Sequence, residues 1–162
     1  MDDTKRRLKM TSSIVRKVHD YSGLRLHVND FSEKDLRSCK FRFAKLAFAK
    51  FRYSKLNHAD FTGSNLQHVD FTGATLKDCK LQDAAINYVI GNMCEIRSMQ
   101  LDSWHITFTE HVLAIGCRQY SWEEWNQFSD GELELMDEYA PSWWGKWKEY
   151  LFITRELCFS DV

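Results

Sequence analysis

Large apolar side chains recur every fifth residue through the middle of this chain. Stepping from Phe31 gives Leu36, Phe41, Leu46, Phe51, Leu56, Phe61, Leu66, Phe71, Leu76, Leu81, Ile86, Gly91, Ile96, Leu101 and Ile106. Fifteen of those sixteen positions are large and apolar, and Gly91 is the exception. Two residues before each lies a second column, small from Cys39 (Ala44, Ala49, Ser54, Ala59 and onward) to Cys94, widening at Met99 and Trp104. The other three positions of each pentad are mostly polar or charged. A period of five fits neither a strand nor a helix. It fits a chain that turns a corner every five residues, with one large and one small side chain pointing inward. Four corners close a coil of twenty residues, and coils stack at the strand spacing of about 4.8 Å.

Charge gives an independent check on that register. If residues twenty apart are stacked, Lys40, Asp60 and Lys80 form one ladder and Asp30, Lys50 and Asp70 another. Both alternate in sign, as close neighbours should. Each exposed pair contributes only about 0–1 kcal/mol, so the ladders matter as evidence of register.

Ala59-Asp60-Phe61, Ser64-Asn65-Leu66 and Val69-Asp70-Phe71 resemble the A-(D/N)-L-x-x consensus of the pentapeptide-repeat family, in which Phe often replaces Leu. The resemblance implies an all-β solenoid over residues 31–108: a right-handed quadrilateral β-helix of about four coils, roughly 19 Å long. Residues 1–30 are expected to form an N-terminal cap or irregular first coil, because Asn29 and Lys34 interrupt the small column. Residues 109–162 are expected to form a Trp-rich helical region, a small C-terminal α-helical cap. A β-helix needs such caps to cover its open ends.

All six tryptophans lie between Trp104 and Trp147. Ser121–Glu124 and Ser129–Glu132 read as capping boxes that open short helices. Ser142 is expected to cap a third, with Trp143, Trp147, Tyr150, Leu151, Thr154, Leu157 and Cys158 on one face. This tail is similar to the C-terminal region of pentapeptide-repeat proteins of phages and prophages. The shared pattern is Ile115-Gly116-Cys117, Trp125 eight residues later, Met136 and a Trp/Lys-rich last helix. Relatives often carry His where this chain has Tyr120, which weakens a Cys–His site.

Composition narrows the picture. The 162 residues suit one domain or a repeat body with a small cap; 44% are hydrophobic, enough for a continuous core. The net charge of -1 makes no global case for nucleic acid or an anionic membrane. Five cysteines is an odd number, without CxxC or zinc-finger spacing. No apolar run approaches membrane-spanning length, and the first residues lack an apolar leader segment. The expectation is a cytoplasmic protein with reduced thiols and no membrane contact.

No phosphate-binding loop, dinucleotide glycine pattern or nucleophile elbow occurs, and no His pair has metal spacing. No catalytic residue, cofactor or metal is expected. Cys39 and Cys79 share a column but lie two coils, about 9.6 Å, apart, beyond the roughly 7 Å limit for a disulfide. The repeat thiols read as buried structural groups. Cys117 reads as a residue of the cap core, with a reactive thiol as the alternative.

Three surface features remain. Phe48, His68, Tyr88 and Phe108 are twenty residues apart at an outward position of one face, a candidate docking stripe. The favoured expectation is that the protein's own helices cover it, since the Trp-rich tail must pack against something. Arg37, Lys40, Arg42, Lys45, Lys50, Arg52 and Lys55 form a basic belt, with no acidic residue from 36 to 57. It could meet nucleic acid, but it runs around the axis, so a solvated, salt-bridged surface is the favoured expectation. Trp143, Trp144, Trp147 and Phe152 could supply a homodimer contact or an internal cap.

The first functional expectation is a non-enzymatic protein-interaction module, phage or prophage encoded, that binds an unidentified host or viral protein. The second is a nucleic-acid or nucleoprotein binder acting through the basic coil 37–55. An enzyme centred on Cys117 is the third. The broader family also includes acidic β-helices that mimic DNA against type II topoisomerases. DNA carries one negative charge per roughly 1.7 Å, so a 19 Å body would need about 11. Residues 36–110 instead hold ten basic and seven acidic groups, a balance of +3.

Overall fold

The computed structural model describes residues 19–160. From Asp20 to Ile90 the chain makes a hydrogen-bonded turn every five residues. Ala44 N donates to Phe41 O at 3.0 Å, Ala49 N to Leu46 O at 2.8 Å and Ser54 N to Phe51 O at 3.1 Å. The third residue of each turn has positive φ, at every fifth position from Gly23 to Tyr88, as in a type II turn. Between turns, parallel bridges join residues twenty apart, including Asp20↔Lys40, Lys40↔Asp60, Asp60↔Lys80, Asp30↔Lys50 and Lys50↔Asp70. The two charge ladders are therefore real stacking partners, and the body is a β-helix with a twenty-residue coil.

Regular coiling begins earlier than expected. Asp20, Arg25 and Asp30 already bridge to the next coil, so residues 20–30 belong to the repeat rather than to an irregular cap. Asn29 and Lys34 are only partly buried, and the first coil accommodates them. The remainder of the expected N-terminal cap, residues 1–18, lies outside the described residues.

The Asp or Asn of the pentad closes the corner that follows it. Asp20, Asp30, Asp60 and Asp70 Oδ1 accept from the backbone N–H two residues on at 2.9–3.0 Å, and Asn65 does the same to Gln67. These Asx contacts favour the ionised carboxylate. The hydrogen bonds from Ser22 and Ser32 hold Asp20 and Asp30 below the usual carboxylate range, and the Arg37 side chain does so for Asp35. A carboxylate depressed in the folded state stabilises above its unfolded pKa, about 3.9. That stability is lost as pH falls through the folded values. The urea midpoint should thus be flat from pH 7 to 5 and fall below about pH 4. Asn accepts the same bond without titrating, so Asp30→Asn with Asp35→Asn should flatten the fall; an unchanged acid limb would refute this account.

Inside, Phe and Leu alternate around the coil, so like stacks on like. Tyr21, Phe41 and Phe61 form one ladder, with centroids 4.8 and 5.0 Å apart. Phe31, Phe51 and Phe71 form another, at 4.8 and 5.4 Å. The ladders meet edge to face at 5.6–6.1 Å, a favoured aromatic geometry. Ser54 and Ser64 fill small-column positions and donate to Phe51 O and Phe61 O at 2.7 Å. Cys79 likewise donates to Leu56 O, and burial pushes its thiol up to about 12.

The coil stops at Gly91, and an antiparallel sheet of four strands follows in sequential order: β1 (Arg97–Leu101), β2 (Trp104–Phe108), β3 (Val112–Ile115) and β4 (Arg118–Ser121). This corrects the expected boundary at 108 and the expected all-helical cap. The sheet itself closes the last coil. Gln119 donates to Ala84 O and accepts from Ile86 N, both at 2.7 Å; His105 Nε2 meets Val89 O at 3.2 Å; Asn87 donates to Gly116 O at 3.0 Å. Gln119 and His105 of the cap thus satisfy backbone groups that another coil would otherwise pair, and Asn87 of the last coil satisfies a carbonyl of the cap.

Three helices complete the cap: α1 (Trp122–Gln127), α2 (Asp130–Glu134) and α3 (Ala140–Phe159). Both expected capping boxes are present, at Ser121/Glu124 and Ser129/Glu132. Ser142 does not cap α3. The helix opens three residues earlier, at Ala140 after Tyr139, with Pro141 in its first turn, where proline's fixed φ and missing N–H are harmless. Its buried residues are Trp143, Trp144 and Leu151, while Tyr150, Ile153 and Leu157 are exposed, so the inward face is rotated from the expected one.

Candidate interaction surface

Phe48, His68 and Tyr88 stand on successive coils of one face and stack on one another. Their centroids are 4.5 and 4.8 Å apart, with interplanar angles of 4°. Phe48 is 55% exposed, His68 is exposed and Tyr88 is half-buried. The C-terminal helices do not cover Phe48 or His68, against expectation. Their tryptophans pack on the antiparallel sheet instead, in a core separate from that of the coils.

Phe108 does not continue the column. It lies on β2, fully buried, edge to face with Trp122 at 5.7 Å. The twenty-residue step had already ended at Gly91, so sequence distance no longer maps to stacking. The ring beyond Tyr88 is His105, tilted by 37° at 5.8 Å.

Each column ring occupies the positive-φ position of its turn. For a side chain with a Cβ that conformation costs about 1–2 kcal/mol, and ring stacking offsets about 0.5–1.5 of it. Asp78 and Asp83 hold the same position on other turns, and short polar residues tolerate it best. Every turn from Gly23 to Tyr88 shares this backbone, so it belongs to the coil, and the stacking is what distinguishes the ring column.

Two further exposed rings escaped the sequence reading. Phe43 and Tyr53 are 63% and 60% exposed and lie over Gly63 and Gly73 of the next coil. The available signal was a ten-residue echo: Phe41-Arg42-Phe43 and Phe51-Arg52-Tyr53, followed by Thr62-Gly63 and Thr72-Gly73.

The basic belt is largely paired within the molecule. Arg37 contacts Asp35 at 2.6 Å, Arg42 approaches Asp60 at 3.9 Å and Arg52 approaches Asp70 at 3.6 Å. Lys40 stacks between Asp20 and Asp60, Lys50 between Asp30 and Asp70, and Lys55 between Asp35 and Thr75. Of the four lysines of the belt, Lys45 has no acid in its ladder, lying between Arg25 and Asn65. Lys45 and Lys50 flank Phe48 along the chain, whereas Asn65 and Asp70 flank His68 and Ala85 and Ile90 flank Tyr88.

The proposed dimer-or-cap residues lie within the cap. Trp143 and Trp144 are buried, Trp147 donates to Asp102 Oδ2 at 2.7 Å, and Phe152 meets Trp122 edge to face at 5.3 Å. Cys117 is exposed, not a cap-core residue. It sits in the two-residue turn between β3 and β4, where Gly116 has φ +53 and Trp104 leaves no room for a Cβ (2.8 Å). The Ile115-Gly116-Cys117 pattern is thus a hairpin turn packed on a tryptophan, and Trp125 anchors the hairpin by donating to Leu113 O at 2.8 Å.

A family model described as a pentapeptide repeat region matches residues 20–90, the same span as the regular coils. Residues 20–90 are a pentapeptide-repeat region. Among solved structures, a pentapeptide repeat protein from the thylakoid lumen of Arabidopsis thaliana is 26% identical, covering 50% of this chain and 52% of that one, with a TM-score of 0.41. Another, from the cyanobacterium Cyanothece, is 24% identical and covers 45% and 51%, with a TM-score of 0.38. The match spans about half the length of these two pentapeptide-repeat proteins. A comparison with curated proteins finds no match. Among the described residues, no helix is long and apolar enough to cross a membrane.

Proposed function

We propose that this chain is a non-enzymatic protein-interaction module, a right-handed four-sided β-helix of about four coils. It docks an acidic segment of a partner protein along Phe48, His68 and Tyr88. The observation that carries this reading is the face-to-face ring column itself, with Lys45 and Lys50 on either side of its first ring, Phe48. Neighbouring rings cover one another's faces, so the column presents ring edges to solvent. Ring edges are the positive part of the aromatic quadrupole, and Lys45, with no acid in its ladder, adds to them at the Phe48 end. An electronegative, carboxylate-bearing segment complements both.

The same geometry disfavours nucleic acid, which single-strand binders hold by stacking bases on open ring faces. The pairing of Arg37, Arg42 and Arg52 with aspartates also leaves few free cations for phosphates. The resemblance of the Ile115-Gly116-Cys117…Trp125 tail to phage and prophage proteins supports a phage-encoded module. It would act on a host or viral protein in the bacterial cytoplasm.

The test is capture from bacterial lysate by the immobilised full chain, with and without nuclease, at two salt concentrations. His68→Asp is the paired variant, since Asp78 and Asp83 show that the backbone position accepts Asp. The expected result is one acidic protein retained after nuclease and bound about tenfold less well by His68→Asp, the loss of a modest interface anchor. Capture that vanishes with nuclease, or that falls steeply with salt and follows Lys50→Glu and Arg52→Glu, would replace this reading with nucleic-acid binding.

A further inference from the structure

His68 is the middle rung of the ring column, and both of its faces are covered. Phe48 lies 4.5 Å away on one side and Tyr88 4.8 Å on the other, centroid to centroid, each within 4° of parallel. The imidazole is nevertheless exposed, so solvent meets it at its edge, where the two nitrogens lie. That edge has two chemical states. The neutral ring carries one N–H donor and one lone pair, whereas the imidazolium carries two N–H donors and a positive charge. A carboxylate approaching the edge meets a lone pair on one nitrogen in the first state and none in the second. The faces of Phe48 and Tyr88 are the negative parts of their quadrupoles, so a cation between them is attracted from both sides.

The charged groups around the column leave that edge free. Lys50 and Asp70 share the ladder on one side. Asp70 is engaged elsewhere: its Oδ1 accepts from Thr72 N at 2.9 Å and its Oδ2 faces Arg52 Nε at 3.6 Å. The ladder on the other side holds Arg25, Lys45, Asn65 and Ala85, with no acid. Beyond Tyr88 stands His105, whose Nε2 meets Val89 O at 3.2 Å. His58, half a coil away, gives the contrast, since its Nδ1 already faces Asp78 Oδ2 at 3.6 Å.

We infer that His68 is a proton switch for this docking face: on protonation it gains a charge and a second outward N–H, and the acidic segment of the partner binds more tightly. The inference rests on the docking reading above and adds its regulation. Histidine is the side chain whose charge ordinarily changes between about pH 5 and 8. The coil itself holds over that interval, because Asp20, Asp30 and Asp35 stay ionised, held below the usual carboxylate range. Docking is therefore strong in mildly acidic surroundings and weak in alkaline ones.

The probe is a rhodamine-labelled hexa-aspartate peptide, titrated with the full chain by fluorescence anisotropy at about pH 5.5 and about pH 8, at one ionic strength. Its carboxylates are ionised at both values, since free aspartate titrates near about 3.9. The dissociation constant is expected to be about fivefold lower at the acidic value, the effect of one added charge beside an exposed carboxylate. His68→Gln keeps a planar polar side chain that does not titrate, and it should lose most of that difference. A difference of full size in His68→Gln would overturn the inference. If that difference then disappeared in His105→Gln, the switch would lie at the joint between coil and cap. Equal binding by the unmodified chain at both pH values would remove the switch and leave the docking reading standing. No binding at either value would remove both.

Discussion

Phe61→Ala is expected to lower the stability of the protein by about 3–5 kcal/mol, the range for deleting a buried aromatic ring. Phe61 is fully buried. It stacks on Phe41 at 5.0 Å and meets Phe51 and Phe71 edge to face, both at 5.8 Å. The loss therefore combines a cavity with three broken ring pairs, in a body whose turns are stabilised mainly by their neighbours. Against a typical total of about 5–15 kcal/mol, it should leave little of the cooperative transition. Phe61→Leu separates ring from volume: Leu81 occupies the same column one coil later, and the swap should cost under about 1.5 kcal/mol. Phe48→Ala, which removes one exposed stacked pair, should cost about 0.5–1.5 kcal/mol. Urea unfolding of the three variants measures the order. If Phe61→Ala and Phe61→Leu unfold together, the ring pairs and not the filled volume are what hold the body.

The second large effect is expected at Gly91→Ala, about 3 kcal/mol, the upper end for overpacking a closed site. A Cβ at Gly91 would stand 2.0 Å from Ile96 O and 2.6 Å from its carbonyl carbon. Both are backbone, so no side chain can swing away. Gly91 is also buried, and its N–H donates to Ser98 Oγ at 3.1 Å. At this point the chain leaves the parallel stack and folds back toward β1. Gly145→Ala, in mid-α3 with open space around it, is the control and should raise stability by about 0.4–1 kcal/mol. Parallel thermal melts decide the matter: similar losses at both positions would mean that Gly91 is needed only as a flexible residue.

Gly91 also marks how far the sequence could be read. The fifteen apolar positions and the alternating ladders at Lys40, Asp60 and Lys80 gave the coil length and its register, because inward position and outward charge both repeat with the turn. The single exception among the sixteen, Gly91, was the true end of the body. Ile96 and Ile106 continue the same count and conceal it. Strand and pentad periods coincide every ten residues, so β1 and β2 counterfeit two more turns, and Phe108 was assigned outward on that false count. At the other end the regular coil was concealed by Asn29 and Lys34, which disrupt the small column without disrupting the fold. Capping boxes were legible because Ser121 and Glu124 touch only each other's local backbone. The rotation of α3 was not, since it depends on a sheet partner that the pentad count had hidden.

A coil of twenty residues with a corner every five has a consequence for how such a chain can change in length. Inserting or deleting one pentad keeps every large residue in the core, yet it advances everything downstream by one corner. A change between His68 and Tyr88 would take Tyr88 off the face of Phe48 and His68, and one between Lys40 and Asp60 would stand Asp60 over a residue other than Lys40. Only a change of four pentads restores both the stack of rings and the alternation of charge. The interior would therefore tolerate growth in steps of five, while the surface accepts it only in steps of twenty. Lineages that keep one marked face should differ in length by whole coils, and those that differ by single pentads should have lost it.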